Sequence, residues 1–365
     1  MRLLLALLIL LLFAPGQAFA AVRIACVGSA ADLTAALAAL ANSAANTDSD
    51  EIRIRTGTYL APAGGWMGAV TTHHDLVIRG GYRDDACLTR TSDAAATILD
   101  GHGAVGVLAI DTPLIPDSDI EVSGLTFQNG NASTPFGNVA GGLRIGDSGP
   151  ISGGTILVER NIFRNNVGTS AIGSSAAGGL VAATDGESLV VRNNLFVDNR
   201  AAYSAAVVVY SNNAIAVSNN TFTGNESTDT TLQQRVMIDF STFGGLLLSN
   251  NIFWGNALAA GVFDIDLGGQ FVGATLANND IEASTGTPVA EMGTLSVDPG
   301  FAAIADFRLA RSSPLIDAGT NDAAGGLAGI DLDGSPRVEH AIVDLGPYES
   351  SFVFADGFDP QASVP

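Results

Sequence analysis

Glu159 and Arg192 occupy the same position in two successive repeats of this sequence, Glu121 lies in the repeat before, and Arg164 and Asp198 follow a few residues later. If such repeats stack as coils about 4.8 Å apart, Glu159 and Arg192 become lateral neighbours, with Arg164 and Asp198 near the same corner. The set could work on a sugar: Arg192 or Arg164 would hold an anionic or polar group while Glu159 or Asp198 moved the proton. The competing reading is an exposed salt-bridge ladder, which does little for stability and no chemistry. Composition speaks against a lyase. All 16 basic residues are Arg, and guanidinium scarcely deprotonates. The 37 acidic residues give a formal charge of −21, a field that repels polyanions and excludes nucleic acid as a partner. A glycoside hydrolase needs two carboxyl groups about 5 to 9.5 Å apart, and the strands offer no second acidic stripe beside Glu159. Asp100-Gly-His102-Gly is read as a tight turn.

Calcium is the one cofactor the sequence suggests. Asp331-Leu-Asp333-Gly334 sets two carboxylates on one side of a turn, and Asp264-Ile-Asp266 does so on a strand, yet neither completes a calcium loop. Arg337, Asp344 and Glu349 form the alternative, a charged hydrogen-bond lock for the last turns. Cys26 and Cys87 are the only cysteines and have no His beside them, so a disulfide is expected rather than a metal pair.

The repeat that positions these residues is read from Ile120–Phe127, Ile156–Phe163, Leu189–Phe196, Ile215–Phe222 and Leu246–Phe253. The residues seven and five before each Phe are large and aliphatic, a period of two that means strand. A weaker copy places Ile281 in the Phe position. Asn161, Asn194, Asn220, Asn251 and Asn279 stand two before that position, and Asn166, Asn199, Asn225 and Asn256 three after the later Phe residues. These ladders are expected to serve corners, where Asn tolerates left-handed backbone and stacked amides satisfy one another. Gly141-Gly142-Leu143, Gly178-Gly179-Leu180, Ala205-Ala206-Val207 and Arg235-Val236-Met237 interleave as a second series. Repeats of 26 to 36 residues with several short β-branched strands predict a solenoid with parallel pairing between coils.

Residues 1–20 read as a secretory signal peptide: Arg2, an apolar run, then Ala18-Phe19-Ala20, with cleavage expected before Ala21. No later stretch has the length of a membrane span. Ser29 or Asp32 caps an expected helix with Leu33, Leu37 and Leu40 on one face, which plugs the amino-terminal end. Val207-Val-Val-Tyr210 and Val181 are apolar on the outward face too, so a loop, the carboxy-terminal segment or a partner is expected to cover them.

The Thr97-Ile-Leu-Asp-Gly101 segment, the Asn-x-Phe-x-x-Asn coils and the Gly-Gly-Leu strands resemble the pectin-lyase-like right-handed parallel β-helix. The run from Asp298-Pro-Gly-Phe301 through Ser313-Pro-Leu-Ile-Asp-Ala-Gly319 and Asp331-Leu-Asp-Gly334 to Asp344-Leu-Gly-Pro-Tyr-Glu349 is similar to bacterial secreted proteins of the choice-of-anchor Q type. Phe354-Ala-Asp-Gly-Phe-Asp359 looks like their short sorting tails. The expected chain is all-β, a right-handed parallel β-helix with a short capping helix. Its divisions are the leader (1–20), cap and first coils (21–100), β-helix repeats (101–297), carboxy-terminal coils (298–350) and tail (351–365). The functional expectation is a secreted or cell-envelope surface, structural or recognising a polysaccharide or cell-surface glycan. The alternative is a polysaccharide lyase or glycoside hydrolase.

Overall fold

The computed structural model describes residues 22–40, 49–72, 74–112, 118–132, 140–146, 154–168, 176–202, 204–227, 235–241, 244–256, 263–268 and 273–351. The expected leader, and the tail beyond Ser351, lie outside them. The chain is a right-handed parallel β-helix. Each coil passes through three parallel sheets of ten, eight and six strands. One coil shows the order: Leu143–Ile145 in the six-stranded sheet, Ile156–Glu159 in the ten-stranded sheet and Ile162–Arg164 in the eight-stranded sheet, before Leu180–Thr184 starts the next.

Register follows the repeat. Ile156 pairs with Leu189 and Glu159 with Arg192, while Phe163 sits between Phe127 and Phe196. The inward rows are dry: Ile156, Val158, Leu189, Val191, Ile215 and Val217 are fully buried. Phe127, Phe163, Phe196, Phe222 and Phe253 form one buried column with ring centroids 5.1, 4.7, 4.8 and 4.3 Å apart and nearly parallel planes. Identical residues at identical places in each coil can only stack. The glycine pairs belong to close approach between coils, because a Cβ on Gly142 would lie 2.5 Å from the Gly179 carbonyl oxygen.

Two ladders of buried Asn fill the corners. Asn194 Nδ2 donates to Asn220 Oδ1 at 3.0 Å and to the Val158 carbonyl at 2.9 Å, and Asn199 repeats the pattern with Asn225 and Phe163. The left-handed seats, however, belong to the residues one before: Arg160, Asn193, Asn219, Asn250 and Asn278 at one corner, and Asn129, Asn165 and Asp198 at the other. The turn thereby aims the ladder amide inward and its left-handed neighbour outward.

The ends differ. At the amino terminus, Arg23–Val27 adds a strand to the ten-stranded sheet and the helix Ala30–Leu40 lays Leu33, Leu37 and Leu40 on the open core. Ser29 Oγ caps it by accepting from Asp32 N at 3.2 Å. Cys26 and Cys87 are bonded, as expected, with Cα atoms 5.7 Å apart. Residues 298–350 do not add coils. After an antiparallel pair, Phe301–Ala303 with Asp306–Leu309, the chain lies along the outside of the corner between the ten- and eight-stranded sheets. It buries Leu195, Val197 and Ile252, outward residues of the eight-stranded sheet, against Leu332, Leu315 and Leu345. The apolar patch on the six-stranded sheet is closed over: Val208 and Val181, 1% and 7% exposed, cluster with Ala140 and Ala177, away from the carboxy-terminal segment.

Candidate functional site

The outward stripe of the ten-stranded sheet carries the charged set. Arg192 Nε lies 2.8 Å from Glu159 Oε2, as the register requires. The same guanidinium also donates through Nη1 to the carbonyls of Gly325 and Gly326 at 2.7 and 3.3 Å. Both side chains are less than one-fifth exposed. Glu121 belongs to another pair, accepting from Arg79 at 2.9 and 2.6 Å and from Ser123 at 2.8 Å. Arg79 leads on to Glu51, and Glu51 to Arg53. The ladder is therefore longer than the Phe repeats indicate. Its beginning was readable in Glu51-Ile-Arg-Ile-Arg55 and Asp75-Leu-Val-Ile-Arg79, whose alternation continues the same sheet.

Arg164 and Asp198 do not join this corner. Arg164 is the last residue of the strand Ile162–Arg164, and Asp198 follows the equivalent strand Leu195–Val197, both at the far end from the Glu159 corner. Arg164 Nε donates to Gln128 Oε1 at 2.8 Å, and Gln128 Nε2 to Asp100 at 2.6 Å. Glu159 and Arg192 thus form one pair, and Arg164 and Asp198 stand apart from it. The electrostatics of the stripe are those of fixed ions. Burial pushes the Glu121 and Glu51 carboxyls up, but the Arg79 and Ser123 bonds to the first, and the Arg53 and Arg79 contacts of the second, outweigh it and leave both below the ordinary carboxylate range. Asp198 moves the other way, raised by burial alone.

Asp331 and Asp333 are engaged within the carboxy-terminal segment. Asp331 Oδ1 accepts from Ser335 N at 2.7 Å and Oδ2 from Glu349 N at 2.8 Å, while Asp333 faces Arg308 at 3.5 Å. Among the described residues no group of three or more His, Cys, Asp and Glu could hold a metal ion. The charged lock has the expected members. Arg337, 2% exposed, donates Nη2 to the carbonyls of Asp344 and Gly346 at 2.8 Å, and its Nη1 lies 3.0 Å from Glu349 Oε2 in an ion contact bent away from hydrogen-bond alignment. Burial pushes the Glu349 carboxyl up against the pull of Arg337.

Two features escaped the sequence reading. Thr72 Oγ1 lies 3.0 Å from His74 Nδ1, and His74 Nε2 3.2 Å from Asp50 Oδ2, a hydroxyl–imidazole–carboxylate line. The imidazole is sealed and Arg23 already donates to both Asp50 oxygens, so no substrate reaches it. The second feature is the outward row at the left-handed seats, which fastens the carboxy-terminal segment. Asn278 Nδ2 donates to Ala318 O, Asn250 to Thr320 O, Asn193 to Ile330 O and Asn219 to Asp344 O. Arg160 takes the same seat one coil earlier and donates to Asp331 O and Ser92 O. The available signal was the Asn-Asn doublets 193–194, 219–220, 250–251 and 278–279. Neither a family model nor a curated protein matches this chain.

Proposed function

We propose that this chain is an exported, non-catalytic β-helical scaffold of the bacterial cell envelope or exterior, whose lateral surface serves structure or recognition, with carbohydrate as the ligand class. The observation that carries the non-catalytic part is the engagement of Arg192: one guanidinium bridges Glu159 and two carbonyls of the carboxy-terminal segment. A guanidinium with Nε and Nη1 committed to the fold is better suited to fastening the segment than to holding a substrate. Export is supported by the signal-like residues 1–20 and by the disulfide. No helix of the described residues is long and apolar enough to cross a membrane. The resemblance to pectin-lyase-like proteins of the choice-of-anchor Q type supports the glycan assignment. Tyr210, Trp254 and Tyr348 are half-buried, so sugar contacts at these rings would rest on hydrogen bonds more than on stacking.

The test incubates the purified chain with pectate, alginate and neutral glucans, with and without calcium. Neither unsaturated-uronate absorbance nor reducing ends should appear. Turnover abolished in a folded Arg192→Ala variant would replace the scaffold with an enzyme. Binding to a glycan array without turnover supports recognition, and an empty array reduces the role to structure.

A further inference from the structure

The two corners of the eight-stranded sheet are built alike and used differently. At the corner shared with the ten-stranded sheet, outward amides at the left-handed seats hold the carboxy-terminal segment through Asn193, Asn219, Asn250 and Asn278. The other corner repeats the seats with Asn129, Asn165 and Asp198, at φ 51, 53 and 53°. Asn129 turns its amide to Asp100. Asn165 and Asp198 are exposed, and among the described residues neither side chain has a hydrogen bond or an ion pair. Half-buried Arg164 directs Nε and Nη2 to the Gln128 amide oxygen, and its Nη1 has no partner among the described residues.

These three side chains belong to two successive coils, about 4.8 Å apart. Arg164 pairs laterally with Val197, the residue before Asp198, and Asn165 N donates to the Val197 carbonyl. Together they present an unengaged donor, an unengaged acceptor and an amide that is both. The first corner shows what such a row does, because its amides grip a chain laid across successive coils. We propose that Arg164, Asn165 and Asp198 form the corresponding grip for a neutral polysaccharide lying across the coils at the second corner. This rests on the carbohydrate reading above and gives it a place on the rod.

Hydrogen-bond pattern and charge select that occupant. A hydroxyl both donates and accepts, so hydroxyls of one sugar chain can accept from Arg164 and donate to Asp198. A uronate or sulfate only accepts, and it meets Asp198 as a like charge. The corner sets Arg164 and Arg200 against Asp100, Asp198 and Glu226. The adjoining carboxy-terminal segment, packed there through Phe307 and Tyr348, adds Arg308 beside Asp306 and Asp333. The face is slightly negative on a chain of charge −21 and does not gather a polyanion. The rival occupant, residues 352–365 of the chain itself, would bring Asp356 and Asp359 to Asp198.

The test measures binding of the full chain to dextran, laminarin and galactomannan by affinity electrophoresis, beside pectate and alginate, with a synthetic peptide of residues 352–365 as competitor. Asn165→Gly and Asp198→Gly remove the side chains without straining the turn, since the next seats of this row are Gly224 and Gly255 at φ 65 and 66°. Arg164→Gln removes the third group, and circular dichroism checks each fold. The wild type should bind at least one neutral polysaccharide and neither polyanion, and each variant should weaken that binding about fivefold to tenfold, the loss of one hydrogen bond. Neutral-glycan binding that the variants keep would overturn this row and leave carbohydrate recognition standing elsewhere on the rod. A wild type that binds no glycan would overturn both. Preference for pectate or alginate, or displacement of the glycan by the peptide, would overturn the neutral polysaccharide as occupant.

Discussion

Arg192 shows how one side chain can look catalytic in a sequence and be structural in the fold. Its charge is placed beside Glu159 by register, but its Nη1 donates to the carbonyls of Gly325 and Gly326, more than a hundred residues away. Arg192→Ala should therefore lower stability by about 1.5–3 kcal/mol, the range for hydrogen bonds to a charged group. Glu159→Gln, which leaves the carbonyl contacts intact, should cost less. Equal urea midpoints for the two variants would mean that the ion pair, not the fastening, carries the effect. Buried acids give a second residue-level expectation. Burial raises Asp264, Asp280 and Asp344 to about 6, although each accepts backbone or amide hydrogen bonds. A carboxyl raised in the fold binds its proton more tightly there than in the unfolded chain. Its contribution is full below the unfolded value near 4 and is lost as pH rises through about 6. Glu51, Glu121 and Asp100 are lowered and act oppositely, losing their contribution as pH falls below about 4. Thermal midpoints should peak between about pH 4.5 and 6 and fall toward pH 8. A midpoint that climbs steadily to pH 8 would contradict the assignment.

At the scale of elements, the Phe column and the Asn ladders carry the coil. Phe196→Ala removes a ring stacked on both sides and should cost about 3–5 kcal/mol, read from denaturant midpoints. Reduction of Cys26–Cys87, which spans 61 residues, should remove about 4 kcal/mol and show first as faster hydrogen exchange in Arg23–Val27 and Asp50–Arg55. Uniform exchange along the rod after reduction would argue against a local clamp. These elements were legible because each is written repeatedly: a Phe, an Asn two before it and an Asn three after it have one arrangement in which all copies are equivalent. The carboxy-terminal segment was not. Its contacts are made once each, by Asn193, Asn219, Asn250 and Asn278, residues that a single sequence presents as turn formers. Arg164 and Asp198 part from Glu159 for a related reason. Spacing fixes which coil a residue is on, but only the position of the left-handed corner fixes which sheet it leaves.

The whole molecule differs from a bare solenoid in one respect that governs how it comes apart. Stacked coils touch only their neighbours, so an uncovered β-helix can fray from an end in stages. Here a single segment contacts Asn278, Asn250, Asn193, Arg160 and Ser92 in turn, then doubles back to Asn219 and again to Asn250, so it couples coils that never meet. It is held by Arg337 and Glu349, whose side chains are 1% exposed. Arg337→Ala leaves Glu349 buried without its partner and the carbonyls of Asp344 and Gly346 without their donor, a change that costs about 3–5 kcal/mol in comparable buried pairs. The consequence should exceed a shift of midpoint. With the segment released, Leu195 and Ile252 lose their cover and the last coils lose their link to the first. The wild type should then unfold in urea in one transition and Arg337→Ala in two, with Ile252–Phe253 and Asp280–Ile281 exchanging their amides before Thr126–Gln128. A variant that keeps one transition of unchanged slope, merely at lower urea, would show that the coils cooperate without the segment and that the lock does no more than seal its own turns.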